Sequence, residues 1–397
     1  MTSLATAPDV AGSSSAPNNK IQVIVVDDSA VVRGLVSRWV DEDPDMETVG
    51  RFANGKLAVE AIADCKPDVV ILDIEMPVMD GMTALPLLLR NHPGVKILMS
   101  STLTRRNAEI SMKALSLGAT DYIPKPESNR GVTTSREFRS NLLRKIKAIV
   151  PRKRARAPAS APAAGPQPGA AQHKHAIQAP AASSAPAHGP SPAELSLRRF
   201  TPIKPKILAI GSSTGGPQAL AKVIEDLALA TSDIPVVITQ HMPATFTAIL
   251  AEHLGRASGR TAKEGEDGEK VLPGTIYVAP GGLHMEVVEK GGEPYLHVYD
   301  GSMINYCKPA VDPMFQSLVK LYGNSILALV LTGMGHDGAV GAKEIADAGG
   351  NVIAQDEATS VVWGMPGATV ATGACAAVLP INEIGPKAIS VLRGGRG

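Results

Sequence analysis

The chain has little of several things. It carries five Phe, two Trp and six Tyr in 397 residues, too few aromatic platforms for single-stranded nucleic acid to stack on. It has three cysteines, Cys65, Cys307 and Cys375, widely spaced and without a CxxC pair. That excludes a disulfide framework and a thiolate zinc site, and it suits a reducing compartment. Charge of either sign is not in excess. Lys plus Arg is 39, Asp plus Glu is 38, and the net charge is +1, so nothing global draws the chain to nucleic acid or to an anionic membrane. No apolar run approaches the roughly 18 residues a membrane span needs. The first 19 residues, MTSLATAPDVAGSSSAPNN, lack a basic n-region and an apolar h-region, so a disordered tail is expected rather than a signal peptide, and a cytoplasmic protein.

What is present divides in two. Residues 157–193 hold 14 Ala and 8 Pro and almost nothing large and apolar. Such a stretch cannot offset the entropy of ordering, and its prolines make a semi-extended spacer. The expected organisation is a tail over 1–19, a domain over 20–150, an Ala/Pro-rich linker over 151–203 and a second domain over 204–397. The basic cluster Arg152, Lys153, Arg154 and Arg156 at the head of the linker is expected to be a solvated charge run. Short uninterrupted apolar runs fill both flanks: 21–26, 68–73, 95–100 and 119–123, then 206–211, 234–240, 275–279, 326–333 and 350–355. Stretches of helical spacing, such as 29–42, 104–117, 216–229 and 336–348, separate them. Strands buried on both faces and alternating with helices predict α/β domains with mostly parallel sheets. Ligands then bind outside the carboxyl ends of the strands.

In the first domain those ends carry Asp27-Asp28, Asp73, Ser100-Ser101-Thr102 and Lys125. Three converging carboxylates repel one another and call for a cation. Oxygen donors of this kind favour Mg²⁺, and Mg²⁺ with a lysine neutralises a phosphoryl group in transfer to an aspartate. Isolated solvated aspartates at strand ends are common, but four such ends in this order are not. The runs VVDDSAVVR, LDIEMPVMDG, MSSTLT and the Lys125-Pro126 pair resemble the receiver domain of two-component response regulators over about residues 20–146, a flavodoxin-like doubly wound sheet. The resemblance implies that Asp73 accepts the phosphoryl group. It implies that Asp28, Asp73 and the Glu75 carbonyl hold Mg²⁺, that Asp27 completes the acidic pocket, and that Ser101 and Lys125 contact the phosphoryl oxygens. Tyr122 takes the aromatic switch position. Chemistry alone does not separate Ser101 from Ser100; the family pattern favours Ser101.

In the second domain, KILAIGSSTGGPQAL reads as strand, tight turn and helix. Gly211-Ser212-Ser213-Thr214-Gly215 fits G-x-S-x-G, which exposes a hydroxyl beside a helix N-terminus. The same turn suits a phosphate, although G-x-G-x-x-G and GxxxxGK[ST] are absent. A second strand ends in Thr239-Gln240-His241, and a later one runs into LTGMGHDGAVG with Asp337 among glycines. Ser213, His241 and Asp337 would supply nucleophile, base and orienting carboxylate. The order Ser, His, Asp is not that of α/β-hydrolases. His336 competes for the base role, but adjacent turn residues point apart. His253, His284 and His297 lie away from the glycine-rich strand ends.

IGSSTGGP, ITQHMP, IYVAPGG with HME, LTGMGHDGA and QDEATSVVWGMPGA resemble the catalytic domain of chemotaxis-type protein-glutamate methylesterases over about 204–390, with a Rossmann-like, mostly parallel sheet. That family carries an N-terminal receiver, hydrolyses γ-glutamyl methyl esters on chemoreceptors with release of methanol, and deamidates receptor glutamines. The resemblance implies Ser213 as nucleophile, His241 as base, Asp337 as orienting acid and the Met334 amide at the oxyanion, with no cofactor for the esterase. It implies a sensor histidine kinase as phosphodonor, chemoreceptor helices as substrate, no nucleic-acid partner and no membrane insertion. Lys308 stands where the family often has Arg, and His336 where Asn is frequent. The alternative is a non-enzymatic response regulator whose second domain binds a nucleotide or protein partner through the GSSTGG turn.

Overall fold

The computed structural model describes residues 20–125, 136–150 and 196–395. The expected tail, Pro126, the basic cluster at 152–156 and most of the expected linker lie outside these residues.

The first unit is built on five parallel strands: β1 (Ile21–Val26), β2 (Met46–Phe52), β3 (Val69–Asp73), β4 (Lys96–Thr102) and β5 (Asp121–Lys125). Their order is β2-β1-β3-β4-β5. Helices α1 (Ala30–Asp41), α2 (Gly55–Cys65), α3 (Gly81–Asn91), α4 (Arg105–Ser116) and α5 (Arg136–Ile149) accompany them. Local chemistry sets the helix starts. Ser29, Asn54, Asp80 and Thr104 each accept, through a side-chain oxygen, a free amide of the first turn of the helix that follows. The apolar runs become the inner strands. β3 is buried at every position because helices cover both its faces.

The second unit has seven parallel strands: β6 (Ile207–Ser212), β7 (Val236–Gln240), β8 (Ala262–Glu264), β9 (Ile276–Val278), β12 (Ile326–Val330), β13 (Asn351–Gln355) and β14 (Ala377–Leu379). They lie in the order β14-β13-β12-β6-β7-β9-β8. An antiparallel hairpin, β10 (His284–Lys290) and β11 (Glu293–Tyr299), stands apart from this sheet. The helices are α6 (Gly216–Leu227), α7 (Phe246–Ser258), α8 (Val311–Tyr322), α9 (Ala339–Asp347), α10 (Gly364–Ala371) and α11 (Ile381–Leu392). Both sheets reverse direction of growth at one point, between β1 and β3 in the first and between β6 and β12 in the second, and crevices form there.

Part of the expected linker falls among the described residues. Residues 198–201 dock on the second unit: Arg198 N–H donates to the Cys375 carbonyl, its guanidinium reaches Asp347, and Thr201 N–H donates to Asn351 Oδ1. Phe200 beside them carries the Lys387 ammonium over its ring.

Candidate functional site

The β1/β3 crevice gathers the acidic residues. Asp27 follows β1 and is buried; Asp28 beside it is exposed. Asp73 ends β3, and its Oδ1 accepts the Ile74 amide at 2.9 Å. Lys125 reaches across from the end of β5, with Nζ 2.7 Å from Asp27 Oδ2 and 2.8 Å from Asp73 Oδ1. Burial pushes the Asp73 carboxyl up to about 6, against the pull of Lys125 and with help from the Asp27 charge. One carboxylate oxygen from each of Asp27, Asp28 and Asp73 lies within 4.8 Å of the others. Three acidic groups facing one ammonium leave room for a hard cation held by oxygens, so the donor set fits Mg²⁺. Asp27 lies in this cluster with Asp28 and Asp73, among the three carboxylates expected to converge. Glu75 lies in the loop that a hydrogen bond from Gly81 N–H to Ile74 O closes. Gly81 is needed there, since a Cβ would sit 2.1 Å from the Asp73 carbonyl. Ser101 Oγ pairs with Ser111 Oγ of α4 at 3.2 Å rather than with a carboxylate. The Ser100 carbonyl accepts the Ile74 amide.

The β6/β12 crevice assembles the other candidates. Ser213 follows β6 in a turn closed by Gly215, whose φ of 76° is left-handed. His241 follows β7, and Asp337 lies in the loop between β12 and α9. His241 Nε2 is 2.7 Å from Asp337 Oδ2. The two loops are stapled by Gln240, whose Oε1 accepts Ser212 Oγ–H at 2.7 Å and whose Nε2 donates to Ser213 O at 2.8 Å. A side chain at Gly216 would collide with this amide, 2.0 Å from its Oε1. From the third loop, Gly333 presses on Ser213; a Cβ there would lie 2.9 Å from the serine Cβ. Met334 comes next, and among the described residues its amide has no acceptor.

Asp337 is held as a carboxylate. The first amide of α8, Val311 N–H, donates to Oδ2 at 2.6 Å, and Asn305 Nδ2 donates to Oδ1 at 3.1 Å. Burial alone would raise its pKa, but His241 and these donors bring it down to about 2. His241 is affected in the opposite sense. Burial would lower it, yet the bonds to Asp337 and to Cys307 raise it to about 10. The ring nitrogen left over, Nδ1, lies 3.4 Å from Cys307 Sγ. Among the described residues no hydrogen bond joins Ser213 Oγ to His241.

Two family models match the chain, the response regulator receiver domain over residues 23–135 and CheB methylesterase over residues 208–388. Over 382 residues the chain is 52% identical to the protein-glutamate methylesterase/protein-glutamine glutaminase of group 2 operon of Rhodopseudomonas palustris, spanning 96% of this chain and 97% of that one. The chain belongs to the CheB methylesterase family. A Bradyrhizobium diazoefficiens protein of the same printed name is 50% identical over 99% of this chain and all of its own. The solved catalytic domain of Thermotoga maritima CheB is 41% identical over 48% of this chain and 100% of its own, with a TM-score of 0.46.

For a CheB methylesterase, the sequence reading passed over three residues. Gln240 stood beside His241 in the quoted run but had no assigned role. Asn305 and Cys307 sit in a stretch with no motif. There, Ile304 and Cys307 exchange backbone hydrogen bonds around Asn305 (φ 52°) and Tyr306 (φ 62°). Two positive φ angles define a type I′ turn, which asparagine tolerates and tyrosine resists. The turn turns Asn305 toward Asp337 and Cys307 toward His241, and it leaves Met303 and Tyr306 exposed on the rim. Lys308 pairs with the exposed Asp300 at 2.6 Å. His336 is exposed and has no part in the His241–Asp337 pair. His284 is buried and structural, bonded to Ser302 O and to the Ala310 amide.

The two units also touch. The buried Tyr122 ring stacks on Phe246, the first residue of α7, with centroids 4.5 Å apart and planes 6° from parallel. Gln218 Nε2 in the first turn of α6 donates to the Ala119 carbonyl at 2.8 Å, and Arg105 of α4 pairs with Glu252 of α7. Gln218 and Phe246 lie in the first turns of the helices that follow Ser213 and His241, and Glu252 lies midway along α7. Among the described residues no helix is long and apolar enough to cross a membrane.

Proposed function

We propose that this chain hydrolyses γ-glutamyl methyl esters, and deamidates glutamines, on chemoreceptor helices, under the control of its own receiver. The observation that carries the reading is the His241–Asp337 pair at 2.7 Å, set in the crevice that Ser213 and Gly333 share. A loop that merely held a phosphate would need neither group.

Ser213 Oγ attacks the ester or amide carbon while His241 takes its proton through Nδ1, since Nε2 is committed to Asp337. The free Met334 amide meets the oxyanion. Imidazolium then gives the proton to the departing methanol or ammonia. Water, activated by the same imidazole, releases glutamate from the acyl-serine. Asp337 stays ionised throughout and holds the tautomer.

In the receiver, Asp73 accepts the phosphoryl group from a sensor histidine kinase. Asp28 and Asp73, with Asp27 close by and the Glu75 carbonyl, would hold Mg²⁺, which neutralises phosphoryl charge. Lys125 and Ser101 would contact the phosphoryl oxygens, Ser101 after leaving Ser111. The unphosphorylated receiver rests on the ends of α6 and α7 and limits access, and phosphorylation shifts the population away from that contact. A receiver over 20–150, a linker over 151–203, a catalytic domain over 204–397 and a cytoplasmic location belong to this reading.

The test is methanol release from methyl-labelled receptor membranes with Mg²⁺, with and without a small phosphodonor. Release that rises with phosphodonor and disappears in Ser213→Ala supports the whole reading. Undiminished release from Ser213→Ala refutes the nucleophile assignment.

A further inference from the structure

We propose that Cys307 is a modification site wired to the esterase base: a thiol that attacks hydroperoxides and soft electrophiles, and whose modification stops ester hydrolysis. The inference deepens the proposed function and rests on it for its consequence, though not for its chemistry.

The geometry is that of a second relay. Asp337 Oδ2, His241 Nε2, His241 Nδ1 and Cys307 Sγ follow one another at 2.7 Å and 3.4 Å. The sulfur lies against the ring nitrogen that Ser213 needs, and among the described residues Ser213 Oγ has no hydrogen bond to that ring. An imidazole in contact with a thiol, and itself oriented by a carboxylate, is the arrangement that generates thiolate in cysteine enzymes. Cys307 is partly exposed, whereas Cys375 is buried. Its position is not accidental to the backbone. The type I′ turn at Asn305-Tyr306 holds a tyrosine at positive φ, and strain of this kind persists where surrounding contacts fix it. Here those contacts are the Asn305 bonds to Asp312 and Asp337. The same three groups could be read as a metal site. The carboxylate and the sulfur, however, lie against different ring nitrogens, so one ion cannot take all three as they stand.

The chemistry balances simply. The thiol proton passes to His241 Nδ1. The thiolate sulfur attacks one oxygen of a hydroperoxide, forming S–O and breaking O–O. Sulfur is oxidised by two electrons and the peroxide is reduced; the departing hydroxide takes the proton from His241 and leaves as water. With hydrogen peroxide the products are the Cys307 sulfenic acid and water. The added oxygen sits at Nδ1 and keeps Ser213 from it. A small thiol reverses the change, first condensing to a mixed disulfide with loss of water and then releasing Cys307 by exchange.

The experiment uses the full reduced chain in the presence of a chelator. Hydrogen peroxide is added, sulfenic acid is trapped with a 1,3-dicarbonyl probe, and each cysteine peptide is followed by mass spectrometry alongside methanol release. Cys307 is expected to react about tenfold or more faster than Cys65 and Cys375, as base-paired thiols do. His241→Gln should remove most of that advantage. Methanol release should fall in step with Cys307 modification and return with dithiothreitol, and Cys307→Ala should keep whatever rate it starts with. Reaction at Cys307 no faster than at Cys65 overturns the proposal. So does complete modification with methanol release unchanged. If His241→Gln does not fold, the comparison among the three cysteines in the wild-type chain still decides. If the wild-type chain releases no methanol, the esterase reading fails while the labelling contrast continues to test the thiol.

Discussion

Tyr122 of the receiver and Phe246 of the catalytic unit form one stacked pair, 4.5 Å between centroids, and both rings are buried. Phe246 opens the helix that begins five residues after His241. A parallel pair of this sort contributes about 0.5–1.5 kcal/mol beyond the area it buries. Tyr122→Ala should therefore raise the unphosphorylated rate of methanol release by roughly 2- to 10-fold and shrink the further gain from phosphodonor. An unchanged basal rate in a folded Tyr122→Ala protein would show that the pair does not restrain the esterase.

Asn305 donates to both Asp337 and Asp312, and its partners are buried carboxyl groups. A hydrogen bond to a charged group is worth about 1.5–3 kcal/mol. Asn305→Ala should cut kcat by roughly one to two orders of magnitude with little change in KM, because it disturbs the orienting acid and not the binding surface. A change confined to KM would place Asn305 in substrate binding instead.

The pH dependence follows from His241. Its folded pKa, about 10, lies above the unfolded value of about 6.5. Its protonated form thus adds stability in full below about pH 6.5, and that stability is lost as pH rises toward 10. The base must be neutral to act, so the enzymatic rate should climb over the same interval. Cys307 is one cause of the raised value, so Cys307→Ala should move the midpoint of the rate profile down. Superimposable profiles for the two proteins would remove Cys307 from the titration.

Mg²⁺ should raise the melting temperature of the whole chain in proportion to the logarithm of its concentration once the site fills. Asp28→Asn, which alters the exposed carboxylate of the cluster and leaves the Lys125 ion pairs intact, should abolish most of that rise. An equal rise in the variant would place the ion elsewhere.

Much of this was legible in the sequence because strand ends are where α/β folds put chemistry. The apolar runs became nine of the parallel strands, and Asp27, Asp73, Ser213 and His241 fall at or beside their carboxyl ends. β2 escaped notice because METVGRF alternates weakly and is only half-buried. The hairpin β10–β11 escaped because HMEVVEK and EPYLHVY bear polar residues on one face and belong to neither sheet. Cys307 and Asn305 were illegible for a different reason. A turn with two positive φ angles usually advertises itself with glycine, and here the second position is tyrosine. Nothing local in SMINYCKP says that its side chains will reach a histidine some 60 residues away in the chain; only the return of α8 to the β6/β12 crevice brings them there.

The receiver touches α6 at Gln218 and α7 at Phe246 and Glu252, on the helices that follow Ser213 and His241. Two occupants of one surface obey reciprocity: whatever phosphorylation does to substrate affinity, substrate does to the receiver. If the proposed competition holds, a receptor helix bound at this surface favours the undocked receiver by the same factor by which undocking favours the helix.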